Sequence, residues 1–200
     1  MAKIRFGVKN LKYAKLTYTN GLEEYGNYVD IPGAKSISLS PAGETATEYA
    51  DDTVWFEEAS NDGYTGTVNV EELPESFLID IMGQVKDTKG TLFESANAEI
   101  AEFALAGEFT NKGDAVVNGK RFCLFRCKAA RPNMDGTGKG NSLTVDTDTL
   151  NITVRPRLSD NKVKATANSN ETAYATWFNS VVTEVTGTAG TTGTTGTTVG

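Results

Sequence analysis

Apolar residues recur at every second position over most of this chain: Ile4, Phe6 and Val8, then Ile37 and Leu39, Val68 and Val70, Phe103 and Leu105, and Leu150, Ile152 and Val154. A period of two sends alternate side chains to opposite faces of an extended backbone. These segments therefore read as half-buried strands, and the expected fold class is mainly β. Between them stand TNGLEEYGN, SNDGYTG, TNKGD, NMDGTGKGN and LSDNK. Their Gly, Asn and Asp residues supply the positive-φ positions that hairpins and surface loops require.

Two segments break the alternation. In LPESFLIDIMG, Pro74 suits a first helical turn, Phe77 pairs with Ile81 and Leu78 with Met82 at i,i+4, and Gly83 stands where a helix stop belongs. This spacing predicts a short flanking helix near 74–82 with one buried stripe. In NETAYATWFNSVV, Asn170 is the expected cap, and Tyr174, Trp177, Phe178, Val181 and Val182 follow the spacing of a core-facing stripe. A carboxy-terminal helix near 171–182 is expected there. Beyond Val185 the composition collapses to TGTAGTTGTTGTTVG, which has no side chain able to fill a core. Residues 1–185 thus read as a single β domain. Residues 186–200 read as a Thr/Gly-rich flexible tail, with an arm that orders on a neighbour as the alternative.

The chain contains no histidine, which excludes Ser-His-Asp and Cys-His nucleophile systems and removes the commonest zinc ligand. Nineteen basic residues against 26 acidic ones give a formal charge of −7. Such a field repels phosphate backbones and argues against duplex binding through counterion release. Cys123 and Cys127 lie in RFCLFRCKA. Four steps along a straight strand separate their Cα atoms by roughly 13 Å, beyond the ~7 Å reach of a disulfide, so they read as small buried hydrophobes. The opening MAKIRFGVKN has no continuous apolar stretch of signal-peptide length, and no segment approaches a membrane span. The expectation is a soluble protein made in the cytoplasm, with no membrane partner.

The stretch YADDTVWFEEASNDGYTGTVNVEELP gathers Asp51, Asp52, Glu57 and Glu58 beside Trp55 and Phe56, a composition that a carboxylate active site could share. Glycoside hydrolysis, however, needs two carboxyls about 5–9.5 Å apart across a cleft, with one desolvated enough to stay protonated. Adjacent acids on a strand point to opposite faces, and in a turn both are hydrated, so the preferred reading is a turn and an exposed acidic edge. DTDTLN and NMDGTGKGN lack the bidentate acid of a calcium loop, and GTGKG lacks the spacing of a phosphate loop. KRFCLFRCKAAR mixes charged and apolar residues as a strand with one wet face would, rather than as a nucleic-acid site. No catalytic, cofactor-binding or metal-ligating residues are assigned, and no cofactor is expected.

The order of YADD (Tyr49 to Asp52), a glycine (Gly63 or Gly66), an alternating strand (Val68 to Val70), Leu73-Pro74 opening a short helix, and Gly83 ending it resembles the major tail proteins, or tail tube proteins, of long, non-contractile-tailed phages of Gram-positive bacteria. IRFGVKNLKYAKLT and KRFCLFRCKAARP extend the likeness more loosely, so that it covers most of residues 1–165. The resemblance implies a β-sandwich or barrel-like subunit flanked by a helix, a tail tube fold. It also implies self-assembly into stacked, hexameric rings of a virion tail through which viral DNA passes without specific binding. Its implied partners are further copies of itself, the tape measure protein and the tail-end proteins.

Within that expectation, residues 41–63 form a long loop or hairpin whose Trp55 and Phe56 contact an adjacent subunit or ring, with the acids at its rim. Tyr49 and the amino-terminal Ile4, Phe6 and Val8 are the other candidate interface residues, and Phe77, Leu78, Ile81, Tyr174, Trp177 and Phe178 form the helical core stripes. The competing readings are a secreted or surface β-sandwich binding module, for which the Thr/Gly tail is a linker, and a carboxylate hydrolase resting on the clustered acids.

Overall fold

The alternating segments become the strands of one curled sheet. In the computed structural model the described residues are 4–113, 116–134, 136 and 146–184, without the side chains at 4–6, 49–50, 111–113 and 116–118. The Thr/Gly segment 186–200 and most of NMDGTGKGN lie outside them.

The amino-terminal alternation forms β1 (Ile4–Thr19), followed by β2 (Leu22–Tyr25), β3 (Val29–Asp30) and β4 (Ala34–Ala42). A hairpin of β5 (Thr45–Ala50) and β6 (Thr53–Ala59) leads into β7 (Gly63–Val70) and helix α1 (Glu75–Asp80). The short strands β8 (Val85–Lys86) and β9 (Leu92–Phe93) precede the long pair β10 (Phe103–Gly113) and β11 (Val116–Ala129). Then come β12 (Asp148–Arg155), β13 (Lys164–Asn168) and helix α2 (Thr172–Thr176).

The main sheet runs β2-β1-β10-β11-β12-β7-β4, with β3 added to β1 and β13 to β11. Its ladders are antiparallel throughout. Turn chemistry closes the hairpins as the sequence requires. Asn20 and Gly21, with φ of 52° and 79°, join Thr19 to its partner Leu22, the positive-φ pair of a type I′ turn. The sheet curls until β4 lies beside β1, yet no ladder joins these two strands among the described residues. That seam is where the sheet stops short of closing on itself.

Each face of the sheet is covered by a different element. On one face, Leu11, Tyr13, Phe103, Leu105, Phe122, Leu124, Val68, Val70, Leu150, Ile152 and Val154 form a single cluster with Phe77, Ile81 and Met82 of the α1 segment. Phe77 is fully buried and meets Tyr13 and Phe103 edge to face, with centroids 5.1 and 5.4 Å away. Edge-to-face contact sets the positive rim of one ring against the negative face of the next. The Tyr13 hydroxyl donates to Asp80 Oδ2 at 2.8 Å, and the Leu73 amide donates to Asp148 Oδ2 at 2.7 Å, so both ends of the helix are tied to strands. Phe77 and Ile81 are buried as their i,i+4 spacing predicts, and Leu78 packs at the cluster's margin.

The opposite face is lined by small side chains. Ala14, Ala104, Ala106, Cys123 and Ala167 are buried there beneath Trp177 and Val181, with Phe178, Val182, Tyr25 and Tyr28 packed around them. Small residues let the covering segment approach the sheet closely. The helix expected near 171–182 is shorter than its spacing predicts: α2 spans only Thr172–Thr176, and turns follow. Its N-cap is Glu171, with no side-chain cap, in place of the expected Asn170. The apolar stripe survives because Trp177 and Val181 need only to face the sheet. Asn179 and Ser180 favour turns and the β-branched pair that follows is a weak helix former, so the backbone is released after the first turns.

The two cysteines show how a bulge reassigns faces. Across β10 and β11, Phe103 pairs with Cys127 but Leu105 pairs with Leu124, three steps against two. One extra residue in β11 flips the alternation. Cys123 therefore joins the cluster under Trp177 while Cys127 joins the one around Phe77. Both are free and buried, and burial pushes the Cys123 thiol up to about 11.

Backbone proximity within the sheet yields a direct test. A Cβ at Gly66 would lie 1.9 Å from the Ser38 carbonyl oxygen and 2.9 Å from Leu39 Cα, both backbone atoms of the neighbouring β4. Gly66→Ala is expected to destabilise the fold by about 1–3 kcal/mol in chemical denaturation. Gly26→Ala, where the nearest atom is 3.6 Å away, should stay within about 0.5 kcal/mol of the parent.

Candidate assembly surface

The stretch that holds the acidic cluster is a protruding two-stranded arm. β4 and β7 pair from Ala34↔Val70 to Ala42↔Gly63. The same two chain segments continue as β5 and β6, paired from Thr45↔Ala59 to Ala50↔Thr53. Six residues in β5 and seven in β6 reach about 20 Å. The junction is held by local bonds: the Glu44 amide donates to Ser60 Oγ at 2.9 Å, Ser60 Oγ to Asp62 Oδ2 at 3.2 Å, and the Gly63 amide to Asn61 Oδ1 at 3.3 Å.

At the tip, Asp51 and Asp52 have φ of 52° and 58° and are the two central residues of the turn between Ala50 and Thr53. Both positive φ values match a type I′ turn, which short polar side chains tolerate better than most. The acids are thus turn formers in solvent, as the bland reading of the cluster holds. Glu57 and Glu58 are exposed along β6, and no lysine or arginine pairs with any of these four among the described residues.

Every described side chain of the arm is exposed. Trp55 is 75% accessible, Val54 53% and Phe56 51%, so neither aromatic belongs to the subunit's own core. Glu48 pairs with Phe56 and Tyr49 with Val54, which leaves Trp55 as the extra residue of a bulge. A bulge bends its strand and re-aims a side chain. Of the other candidate interface residues, Val8 packs partly buried against the main core, and the side chains of Ile4, Phe6 and Tyr49 lie outside the described residues.

The sheet's two ends are finished differently. At β2, Glu23 accepts the Leu158 and Ser159 amides at 2.9 and 3.2 Å, so a loop covers that border. β4 has no ladder on its outer side among the described residues. Near it lies a groove of about 400 Å³ lined by Ile37, Leu39, Tyr64, Phe109 and Phe122, with Lys120 and Lys164. The rings of Phe109 and Phe122 stack with centroids 4.7 Å apart, and Lys164 Nζ sits 4.5 Å from the Tyr64 ring centroid. Sequence reasoning missed this groove, because five strands contribute to it and none carries a local signature.

The carboxy-terminal segment is clamped to the outer face by two arginines. Arg121 lies 3.9 Å from the Tyr174 ring centroid and 4.5 Å from that of Phe178, and it donates to the Tyr174 carbonyl. Its Nε also donates to Glu108 Oε2 at 3.2 Å, while Lys9 Nζ approaches Glu108 Oε1 at 3.1 Å. Burial pushes the Glu108 carboxyl up, but hydrogen bonds from Lys9, Arg121 and Tyr174 outweigh it and hold the group below its ordinary value. Arg157 stacks 4.1 Å from the Phe125 ring centroid, donates to the Val182 carbonyl at 3.5 Å, and pairs with Asp160. The hydrogen bond from Arg157 lowers the Asp160 carboxyl to about 2. Trp177 is buried between the clamps and donates its indole N–H to the Phe122 carbonyl at 3.3 Å.

No family model matches the sequence, and no curated protein matches it. Among solved structures, the chain is similar to the anti-feeding prophage cap, the AFP tube terminating cap. The TM-score is 0.46 and the identity 9%, over 82% of this chain and 93% of that chain.

The clamps set the acid response. A carboxyl whose folded value is depressed contributes stability above its unfolded value and loses it as the pH falls through the folded one. For Asp160 that window runs from the ordinary 3.8 down to about 2, and Glu108 loses its contribution below 4.5. With no histidine in the chain, stability should be flat from about pH 5 to 8 and fall below pH 4. Trp55→Phe isolates the Trp177 emission, which should shift red in that acid window. Glu108→Gln should cost about 1.5–3 kcal/mol at neutral pH and reduce the acid slope.

Proposed function

We propose that this chain is the structural subunit of a phage tail tube, self-assembling into stacked, hexameric rings that conduct DNA at ejection. The observation that carries this reading is the exposed arm with Val54, Trp55 and Phe56, projecting from a sheet whose β4 border has no ladder on its outer side among the described residues. Large aromatics are the side chains that anchor protein interfaces when buried. An open strand border invites completion by another chain unless it is covered or blunted. Copies of the same subunit satisfy both demands at once in a closed ring.

Charge agrees with a conduit. A net charge of −7 suits a wall past which DNA phosphates slide without adhering, since like charge raises the energy of contact. In the proposed tail, the tape measure protein occupies the tube during construction and tail-end proteins cap it. The protein acts as a wall and performs no turnover.

Negative-stain microscopy of the purified protein across a concentration series is expected to show rings or tubes. Trp55→Ser/Phe56→Ser should remain folded, with the parent's circular dichroism, and stay monomeric at concentrations where the parent assembles. Unimpaired tubes from the double variant would remove the arm from the interface. A parent that stays monomeric at every concentration, even with preformed tail tips as seeds, would overturn the tube reading.

A further inference from the structure

The carboxy-terminal end of the described chain lies on the sheet without joining it. Residues 172–184 add no strand to any ladder among the described residues, and only Trp177 and Val181 of them are buried. The hydrogen bonds that hold them down run through side chains: Arg121 donates to the Tyr174 carbonyl, Arg157 to the Val182 carbonyl, Lys162 to Glu184, and the Trp177 indole to the Phe122 carbonyl. The sheet beneath offers Ala14, Ala104, Ala106, Cys123 and Ala167, side chains too short to interlock with what covers them. The base of the segment is fixed differently. The Ser169 amide donates to the Gly119 carbonyl at 3.0 Å, and the Glu171 carboxylate accepts the main-chain and side-chain amides of Asn168, both at 2.9 Å.

We propose that residues 172–184 form a latch that lifts from the sheet as a unit, pivoting at residues 169–171 while the strand ladders stay intact, and that the closed latch hides the alanine-lined face and Cys123. The inference goes beyond the tube reading and holds whether or not copies assemble. An element with few buried contacts and no ladder opens at a free energy below that of global unfolding. Lifting the latch uncovers Trp177, Val181 and the strip beneath them, whereas freeing the opposite face requires the rings of Tyr13, Phe77 and Phe103 to part. Arg121 and Arg157 set how often it opens, because each guanidinium stacks on a ring and holds a carbonyl of the latch at once. Closed, the latch keeps a flat apolar strip from adhering to other chains.

The two cysteines report opening separately. Cys123 lies under the latch and Cys127 in the cluster around Phe77, each 0% exposed, and burial pushes both thiols above their ordinary value. The closed fold therefore protects both, and a difference in their reactivity measures a difference in opening. The purified full chain is treated with N-ethylmaleimide without denaturant, and trypsin, cutting after Arg126, places the two on different peptides for mass spectrometry. Cys123 is expected to label at least about tenfold faster than Cys127, with the two rates converging above the midpoint of urea unfolding. Arg157→Lys keeps the charge but loses the planar fork, and should raise the Cys123 rate about threefold or more while the Cys127 rate stays within about twofold. Arg121→Lys should act likewise through the other clamp. Misfolding cannot produce this pattern, because it frees both thiols. Equal rates in the parent, or variants that raise both rates alike, would overturn the latch and place residues 172–184 in one cooperative unit with the strands. Fast Cys123 labelling that neither variant changes would show access by another route and equally overturn it.

Discussion

Three rings, Tyr13, Phe77 and Phe103, meet edge to face at the centre of the molecule, and the organisation of the sheet follows from that meeting. Tyr13 and Phe103 sit on the adjacent strands β1 and β10, whose register places Tyr13 opposite Leu105 and Lys15 opposite Phe103. Phe77 arrives from a helix of only six residues, too short to be stable by itself. The helix exists because its one buried ring completes the aromatic cluster and its ends are bonded to strands. Once that face is filled, the alternation in β1, β10 and β11 commits the other face to small residues, and the carboxy-terminal segment lies down on them.

The outer cover is held by charge as well as by apolar packing. α2 has five residues, and turns follow it, so backbone hydrogen bonds alone hold little. Arg121 and Arg157 each stack on a ring and donate to a main-chain carbonyl of the segment, while a carboxylate fixes each guanidinium. A planar guanidinium is suited to stacking and donating together, which a lysine ammonium is not. The acid sensitivity of the fold therefore resides in carboxylates outside the arm, Glu108 and Asp160 at the clamps together with Glu102 beside Arg126 and Glu171 beside Asn168.

Local signals in the sequence are sufficient for strands β1, β4, β7, β10, β11 and β12, the Asn20-Gly21 and Asp51-Asp52 turns, the α1 stripe and the buried cysteines, because each depends on neighbours within a few residues. What was not legible depends on partners far along the chain. The β11 bulge that separates Cys123 from Cys127 onto opposite faces arises from pairing with β10. Glu108 and Arg121 belong to one clamp with Tyr174, a residue 53 positions from Arg121. The spacing predicts a longer α2 than the five residues that form, because an i, i+3, i+4 stripe is also satisfied by successive turns pressed on a flat surface. For the candidate site, Trp55 and Phe56 were identifiable as paired aromatics in an acidic setting. Their exposure could be settled only by seeing that the core fills without them, and the groove could not be read from any one segment.

The arm and the open border make different demands on a partner, and together they constrain the geometry of assembly more than either does. A strand edge without a ladder, as β4 has on its outer side among the described residues, accepts another strand in many registers, since main-chain hydrogen bonds carry no sequence information. β4 carries Ser36, Ser38 and Ser40 outward and has Lys35 and Pro41 near its ends, devices that discourage indiscriminate pairing. In the proposed ring, the arm contacts a neighbouring copy and so limits the rotation between subunits, and the border strands pair only in the register that rotation allows. Whether the border closes a ring or extends a filament then depends on the angle between arm and sheet within one subunit. The hydrogen-bonded junction at Glu44, Ser60 and Asp62 sets that angle, so this junction, though distant from every contact, is the element on which closure would turn.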